Sequence, residues 1–186
     1  IWDRDFPSPP VLLTVKRNGR NIDAVAQATK QGFVFLFDRT NGSPLFPIES
    51  RKYPGSTVEG EVAAETQPLP TKPAPFARQL LALDLLTNRT PEAHNWAVEQ
   101  FQKIRSEGQF VPLSVGKDTV IFPGYDGGAE WGGQALDPDS ATLFVNANDL
   151  AWTGALAPNT PAASGRDLYT AQCATCHAAN LAGAEG

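Results

Sequence analysis

Two apolar patterns follow one another between Asp23 and Gly42, and both predict strands. Ala24, Ala26 and Ala28 alternate with Val25, Gln27 and Thr29, a period of two with one small-residue face. Phe33–Phe37, reading FVFLF, is apolar without a break. It is β-branched and aromatic and too short for a helix, which predicts a buried strand. Asp38-Arg39-Thr40-Asn41-Gly42 ends it, with Asn and Gly expected to supply the positive φ of a tight turn. Upstream, Val11–Val15 reads as a further strand, and Asn18-Gly19 as the two-residue turn that joins it to the next. Lys30 stands at the junction of two strands. By local sequence alone it belongs to a solvated bend.

From Ser43 to Phe76 the pattern is lost. Seven prolines, from Pro44 to Pro75, disfavour helix interior and central strand alike, which predicts a long extended surface segment or a flexible linker. Thr90-Pro91-Glu92 then opens a helix, with Thr90 as cap, Pro91 in the first turn and Glu92 at the positive end. Ala93, Trp96, Ala97, Phe101 and Ile104 form its apolar stripe to about Glu107, and Gly108 closes it. His94 sits in the first turn as a surface or capping residue. Gln109–Gly124 reads as two strands, followed by strands Gln134–Leu136 and Thr142–Asn146 around a turn at Asp137-Pro138-Asp139. The chain is thus mainly β, and its closely spaced short strands suit one four-stranded propeller blade and part of a neighbour. The four tryptophans show no repeat from blade to blade.

Composition narrows the partners. Among 186 residues, 41% are hydrophobic and 19% charged, as in a folded protein. A net charge of −5 with no basic cluster argues against a nucleic-acid surface. No apolar run approaches the roughly 20 residues that span a bilayer. Starting at Ile1 and ending at Gly186, just past a motif that ordinarily needs more chain, the sequence reads as a fragment. An incomplete propeller leaves unpaired edges, so the fragment is not expected to fold alone.

The most specific chemical signal lies near the C-terminus. Residues 155–163 are a small-residue linker, after which Ser164 caps a helix with Asp167 as its capping-box partner. Leu168 and Tyr169 are expected to give that helix its buried face. It leads into Cys173-Ala174-Thr175-Cys176-His177. Two thiols at this spacing can add to the two vinyl groups of one haem, with the adjoining His177 ligating the iron. A thioredoxin-like pair needs a βαβ context that is missing here. A structural zinc site needs a fourth ligand, and no third cysteine exists. Haem c, held by Cys173 and Cys176, is the expectation. With both cysteines committed, no disulfide remains, and with no Met in the chain a Met sixth ligand would lie beyond Gly186.

Gly127-Gly128-Ala129-Glu130-Trp131-Gly132-Gly133 is a tryptophan fenced by four glycines. It suits a backbone that passes close to something flat, and equally a Gly-rich loop around one core Trp.

Three of these stretches together resemble the quinoprotein dehydrogenases, eight-bladed propellers that bind pyrroloquinoline quinone (PQQ). They are Lys30 before Gly-Phe-Val-Phe-Leu-Phe-Asp-Arg, Trp2-Asp3-Arg4-Asp5 lying 27 residues upstream of it, and Gly-Gly-Ala-Glu-Trp. Glu61–Pro68, ending in Thr-Gln-Pro, is similar to a further family segment. The spacing resembles the membrane glucose dehydrogenase branch in particular. The resemblance implies that Lys30 hydrogen-bonds the quinone oxygens, Asp3 is the catalytic base and Trp131 contacts the quinone's periphery. Glu130, in place of an Asn, tilts the substrate towards sugars or other polyols. The family also holds Ca²⁺ against the quinone, with ligands expected mostly upstream of Ile1. Gly165–Tyr169 resembles the first helix of small cytochrome c domains.

Together these imply a quinohaemoprotein dehydrogenase, with residues 1–154 a partial propeller, 155–163 a linker and 164–186 the start of a cytochrome c domain. A sugar or alcohol would be oxidised by hydride transfer to PQQ, and electrons would pass to haem c and then to a cytochrome or quinone acceptor. The implied location is the bacterial periplasm. Two other readings remain open, a non-catalytic propeller scaffold bearing a cytochrome and a plain electron carrier. PQQ binding separates them from the first.

Overall fold

The computed structural model describes residues 2–158 and 164–178. The chain divides into two units, Ile1–Leu156 and Ala157–Gly186. The first is mainly β. Strands β1 (Val11–Arg17), β2 (Arg20–Ala28) and β3 (Val34–Asp38) form an antiparallel sheet in chain order. Strand β4 (Ile48–Lys52) pairs with β5 (Thr66–Pro70), β6 (Thr119–Ile121) with β9 (Trp152–Gly154), and β7 (Gln134–Asp137) with β8 (Thr142–Val145). One helix, α1 (Pro91–Phe101), follows a short 3-10 turn at Leu83–Leu85. The second unit holds α2 (Gly165–Gln172) and α3 (Ala174–His177).

The alternation in β2 does what its pattern predicts. Ala24, Ala26 and Ala28 are wholly buried, and Ala26 and Ala28 pack with Val34 and Ala129 against Leu143 and Val145 of β8. Methyl side chains there let the loop carrying Ala129 come close to the sheet. Asn18 and Gly19, at φ 51° and 76°, make the β1–β2 turn with positive φ at both positions, the geometry that matches strand twist. Beyond the last β1 pair, Val11 with Ala26, Gln134 continues the ladder with its side chain. Its carboxamide donates to Ala26 O at 2.8 Å and accepts from Ala28 N–H at 2.9 Å. A second core joins Phe33, Leu69 and Phe110, with Trp2, Phe35 and Tyr53 against it. Burying Phe33 and Leu69 contributes about 2 kcal/mol each.

Several sequence expectations are corrected. Among the described residues the largest sheet has three strands, not four. After β3 the chain turns back beside it, with Leu45 N–H donating to Leu36 O at 2.9 Å, but Pro44 and Pro47 deny it the donors of a full strand. The turn itself takes positive φ only at Gly42, while Asn41 serves as acceptor for the Ser43 N–H at 2.8 Å. The proline-rich segment is not structureless, since β4 and β5 pair within it. Pro68 and Pro70 are two apart, so both ring nitrogens face the open edge, while Thr71 N–H reaches Pro47 O on the paired side.

Helix α1 starts as expected, Thr90 Oγ1 accepting from Ala93 N–H at 3.2 Å, but ends at Phe101. Arg105 is drawn into an extended bridge beside β6, exchanging backbone bonds with Asp118 and Val120, so the stripe cannot reach Glu107 as helix. Between Gln109 and Gly124 only β6 forms. Its partner β9 escaped the sequence reading because Trp-Thr-Gly is too short to show a period. Leu168 is 49% exposed rather than buried. The linker expected over 155–163 and the end of the expected cytochrome segment fall partly on residues 159–163 and 179–186, outside the described residues.

Candidate functional site

The β2–β3 hairpin closes through Lys30, Gln31 and Gly32. Gly32 N–H donates to Thr29 O at 3.0 Å, and Gly32, at φ 86°, supplies the left-handed residue that a three-residue loop needs. Thr29, wholly buried, locks the base. Its hydroxyl donates to Phe33 O and accepts from Phe33 N–H. The turn is not solvated, and the local reading of Lys30 is overturned. Its residue is 7% exposed because the loop around Gly127 covers the aliphatic stem.

That packing explains the glycines before Trp131. A Cβ on Gly127 would lie 2.4 Å from Lys30 Cγ and 2.9 Å from its Cα, and one on Gly128 would lie 2.8 Å from Gly32 Cα. Gly128 N–H donates to Lys30 O at 2.7 Å across this contact. The close approach demanded by the glycines is to the lysine turn. Gly127 also holds φ at 76°, so Gly127→Ala combines left-handed strain with overpacking, an expected loss of about 2–4 kcal/mol. Thermal unfolding of the full-length protein reads this directly, and an unchanged midpoint would refute the packing described.

Three carboxylates converge on Lys30 Nζ: Asp5 Oδ1 at 2.9 Å, Asp3 Oδ2 at 3.0 Å and Glu130 Oε1 at 3.5 Å. Asp3 and Lys30, joined in the sequence only by spacing, are therefore direct partners. Burial alone pulls the Lys30 ammonium down, but hydrogen bonds to Asp5 and Asp3 and the charge of Glu130 outweigh it and raise its pKa above the ordinary 10.5. The hydrogen bond from Lys30 holds the Asp5 carboxyl below its ordinary 3.8.

The two shifts bracket the pH range in which the cluster stabilises the fold. The raised Lys30 pKa gives stability that is complete below pH 10.5 and lost as pH climbs past it, and the depressed Asp5 pKa gives stability lost as pH falls below 3.8. Asp3 and Asp5 are 53% and 61% exposed at the side chain, so Asp5→Asn costs under about 1 kcal/mol at neutral pH. Unfolding midpoints of the two proteins converge as pH drops below 3.8. A gap that stays constant down to pH 2 contradicts the pairing.

Between the two acids, Arg4 points the other way. Its guanidinium donates to Pro123 O at 2.6 Å and Gly124 O at 3.1 Å, tying the motif to the end of β6. Burial lowers its pKa to about 10, with Asp3 opposing, so it stays charged at neutral pH. Trp2 anchors the same segment, its Nε1–H donating to Val111 O at 3.0 Å and its ring meeting Phe110 edge-on at 5.8 Å. Asp3 itself sits at φ 48°, a strained conformation for a non-glycine residue held by these two anchors. Trp131 follows Glu130 directly and is 85% exposed, a free indole face rather than a core residue. Asp5 and Glu130 were missed as partners of Lys30. The Asp-Arg-Asp alternation was the available signal, since residues two apart can share a side.

In the second unit Ser164 caps α2 as expected, accepting from Asp167 N–H at 3.2 Å and donating to Asp167 Oδ2 at 2.7 Å. Cys176 and His177 N–H both donate to Cys173 O, at 3.2 and 3.0 Å, so the motif winds as one helical turn. Both thiols are free and exposed. Tyr169 Oη donates to the carbonyls of His177 and Ala178, at 3.0 and 2.8 Å, fixing the turn after the motif. Among the described residues no cluster of His, Cys, Asp and Glu stands ready to hold a metal ion by itself, and no helix is long and apolar enough to cross a membrane.

Comparison with known proteins bears on this site. The family model described as PQQ: glucose/ethanol/alcohol dehydrogenase, beta-propeller domain, matches residues 1–181. The chain is 32% identical over 151 residues to the glycerol dehydrogenase large subunit of Gluconobacter oxydans (strain 621H), covering 80% of this chain and 20% of that one. It is 31% identical over 169 residues to the quinoprotein glucose dehydrogenase of Escherichia coli (strain K12), covering 87% and 20%. It is 30% identical over 148 residues to the quinate/shikimate dehydrogenase (quinone) of Acinetobacter baylyi (strain ATCC 33305 / BD413 / ADP1), covering 78% and 18%. No solved structure matches. The chain spans about a fifth of the length of the curated relatives it matches. It belongs to the β-propeller family of PQQ-dependent dehydrogenases.

Proposed function

We propose that the protein of which this chain is part oxidises a sugar, polyol or related alcohol with PQQ, and passes the electrons to haem c. The observation that carries the reading is the cluster on Lys30, where a desolvated ammonium meets Asp3 beside an exposed tryptophan. The donor set fits the groups it would hold. PQQ is a flat, polyanionic quinone, suited to one fixed cation and one open indole face. Ca²⁺ is a hard cation suited to carboxylate oxygens, of which Asp3 offers one pair, with further ligands expected elsewhere in the protein. Two exposed thiols on one helical turn, followed by His177, fit haem c.

When bound, PQQ supplies a two-electron acceptor for the hydride of a CH–OH group, and haem c a one-electron outlet. Asp3, about half exposed, accepts the proton of the substrate hydroxyl as general base. Lys30 sets a fixed positive charge towards oxygens that gain negative charge, at no reorganisation cost during the reaction. Trp131 offers its indole face to the ring system, and Glu130 and Asp5 hold the ammonium from the remaining sides. The glycerol, glucose and quinate named for the relatives are all polyhydroxylated, which favours a polyol or sugar substrate here. The bacterial periplasm, where covalent haem is attached and PQQ is used, is the proposed location.

Titration of the full-length apo-protein with PQQ, followed by quenching of tryptophan fluorescence, tests the first half. Saturable one-to-one binding is expected, and its absence leaves the chain a scaffold or plain carrier. For the second half, Cys173→Ser in the full-length protein is expected to abolish in-gel haem staining. Staining equal to wild type would remove haem c from this motif.

A further inference from the structure

We propose that Gln79 and Gln109 are positioning residues that lock the Lys30 turn and so fix where its ammonium lies. The inference rests on the reading that Lys30 meets PQQ. Every carbonyl of the turn is held from another part of the chain. Gly128 N–H takes Lys30 O at 2.7 Å, and Phe76 N–H takes Gly32 O at 2.8 Å. Gln31 O, at the apex, is held by side chains instead: Gln109 Nε2 donates to it at 2.6 Å and Gln79 Nε2 at 2.8 Å. Gln109 Nε2 also donates to Gln79 Oε1 at 2.5 Å, which joins the two amides into one unit. Gln109 is 5% exposed, although it comes from a segment without regular structure.

A backbone loop could have supplied these donors, as it does for the two neighbouring carbonyls. Using one buried and one half-buried carboxamide costs desolvation that the fold does not recover in full. The amide oxygens of Gln31 and Gln109 are both buried without a hydrogen-bond partner among the described residues. Residual polar strain beside a reactive cation is the arrangement expected where placement of that cation, rather than stability, sets the constraint. Releasing Gln31 O lets the turn rotate about Thr29 and Gly32, which moves Nζ away from Asp3 and Asp5. Because Gln109→Met removes an unpaired acceptor along with its donors, the fold tolerates it better than the site does.

The test uses the full-length protein and two readouts, PQQ affinity by fluorescence quenching of the apo-form and turnover of the loaded form. The variants are Gln109→Met, Gln79→Met, the double variant, Lys30→Ala, and Ser106→Ala as a control that loses a half-buried bond to Leu81 O outside the turn. Gln109→Met is expected to weaken PQQ binding and lower kcat about tenfold each, with a melting temperature no lower than that of Ser106→Ala. The double variant should be no worse than twofold beyond Gln109→Met, since both amides act on one carbonyl. Should Gln109→Met fail to fold, Gln79→Met alone carries the same comparison. Wild-type affinity and kcat in the Gln variants, with both lost in Lys30→Ala, would sink the clamp and leave the role of Lys30 standing. Wild-type affinity in Lys30→Ala would bring down that role and the clamp with it. An equal loss of affinity in Ser106→Ala would also refute positioning.

Discussion

Lys30→Ala is expected to remove PQQ binding and substrate oxidation from the full-length protein while leaving it folded. The two consequences separate because of where the charges lie. The ammonium is nearly buried, but its partners are not: Asp3, Asp5 and Glu130 are 53%, 61% and 39% exposed at the side chain. When the cation goes, water reaches the carboxylates, and the stability cost is about 1–2 kcal/mol rather than the larger cost of a stranded buried charge. The chemical cost is larger. A fixed charge aimed at developing negative charge is worth roughly 10²–10³ in kcat, and in the proposed site Lys30 is the only such group among the described residues. Lys30→Arg does not restore it. A planar, delocalised guanidinium does not reproduce the compact point charge that Asp3, Asp5 and Glu130 hold at Nζ. A Lys30→Ala protein that binds PQQ and turns over as wild type would show the cluster to be structural.

Asp3→Asn is expected to keep PQQ bound and to lower kcat roughly 10²–10⁴-fold, the range for loss of a general base. Its amide preserves the shape, and Trp2 and Arg4 still pin the strained backbone on either side. Lys30 retains Asp5 at 2.9 Å as its partner, so the cofactor site survives. The contrast with Asp5→Asn is the informative part. Asp5 contacts the same ammonium but is assigned no proton to accept, and its replacement should change kcat by less than about tenfold. Kinetics of both variants at saturating substrate decide between them. Equal losses would mean that the two acids share the role, or that neither is the base.

The sequence made part of this site readable. Asp3 and Lys30 were connected only by a spacing of 27 residues and a family resemblance, and they meet at 3.0 Å. The small face of β2 was legible from its alternation, because burial on one side of a strand writes itself at every second residue. What the sequence withheld came from distant segments. The burial of Lys30 depends on Gly127, 97 positions away, and no local pattern around Thr29–Gly32 carries that information. Gln109 looked like the start of a strand, yet it serves as a buried donor to Gln31. The β4–β5 hairpin hid behind its prolines, which propensity counts against a strand although a two-stranded ribbon tolerates them on its open edge. Helix α1 overran in the reading because a stripe at helical spacing cannot reveal that Arg105 pairs beside β6.

The full-length protein, loaded with PQQ and Ca²⁺, should be given aldoses, polyols and simple alcohols in turn, with an artificial acceptor dye to follow oxidation. Dye reduction by at least one sugar or polyol, absent without PQQ and reduced at least a hundredfold in Asp3→Asn, is the expected result. PQQ-independent dye reduction, or none with any substrate despite bound PQQ, would mean that the Asp3–Lys30 cluster is not a dehydrogenase centre.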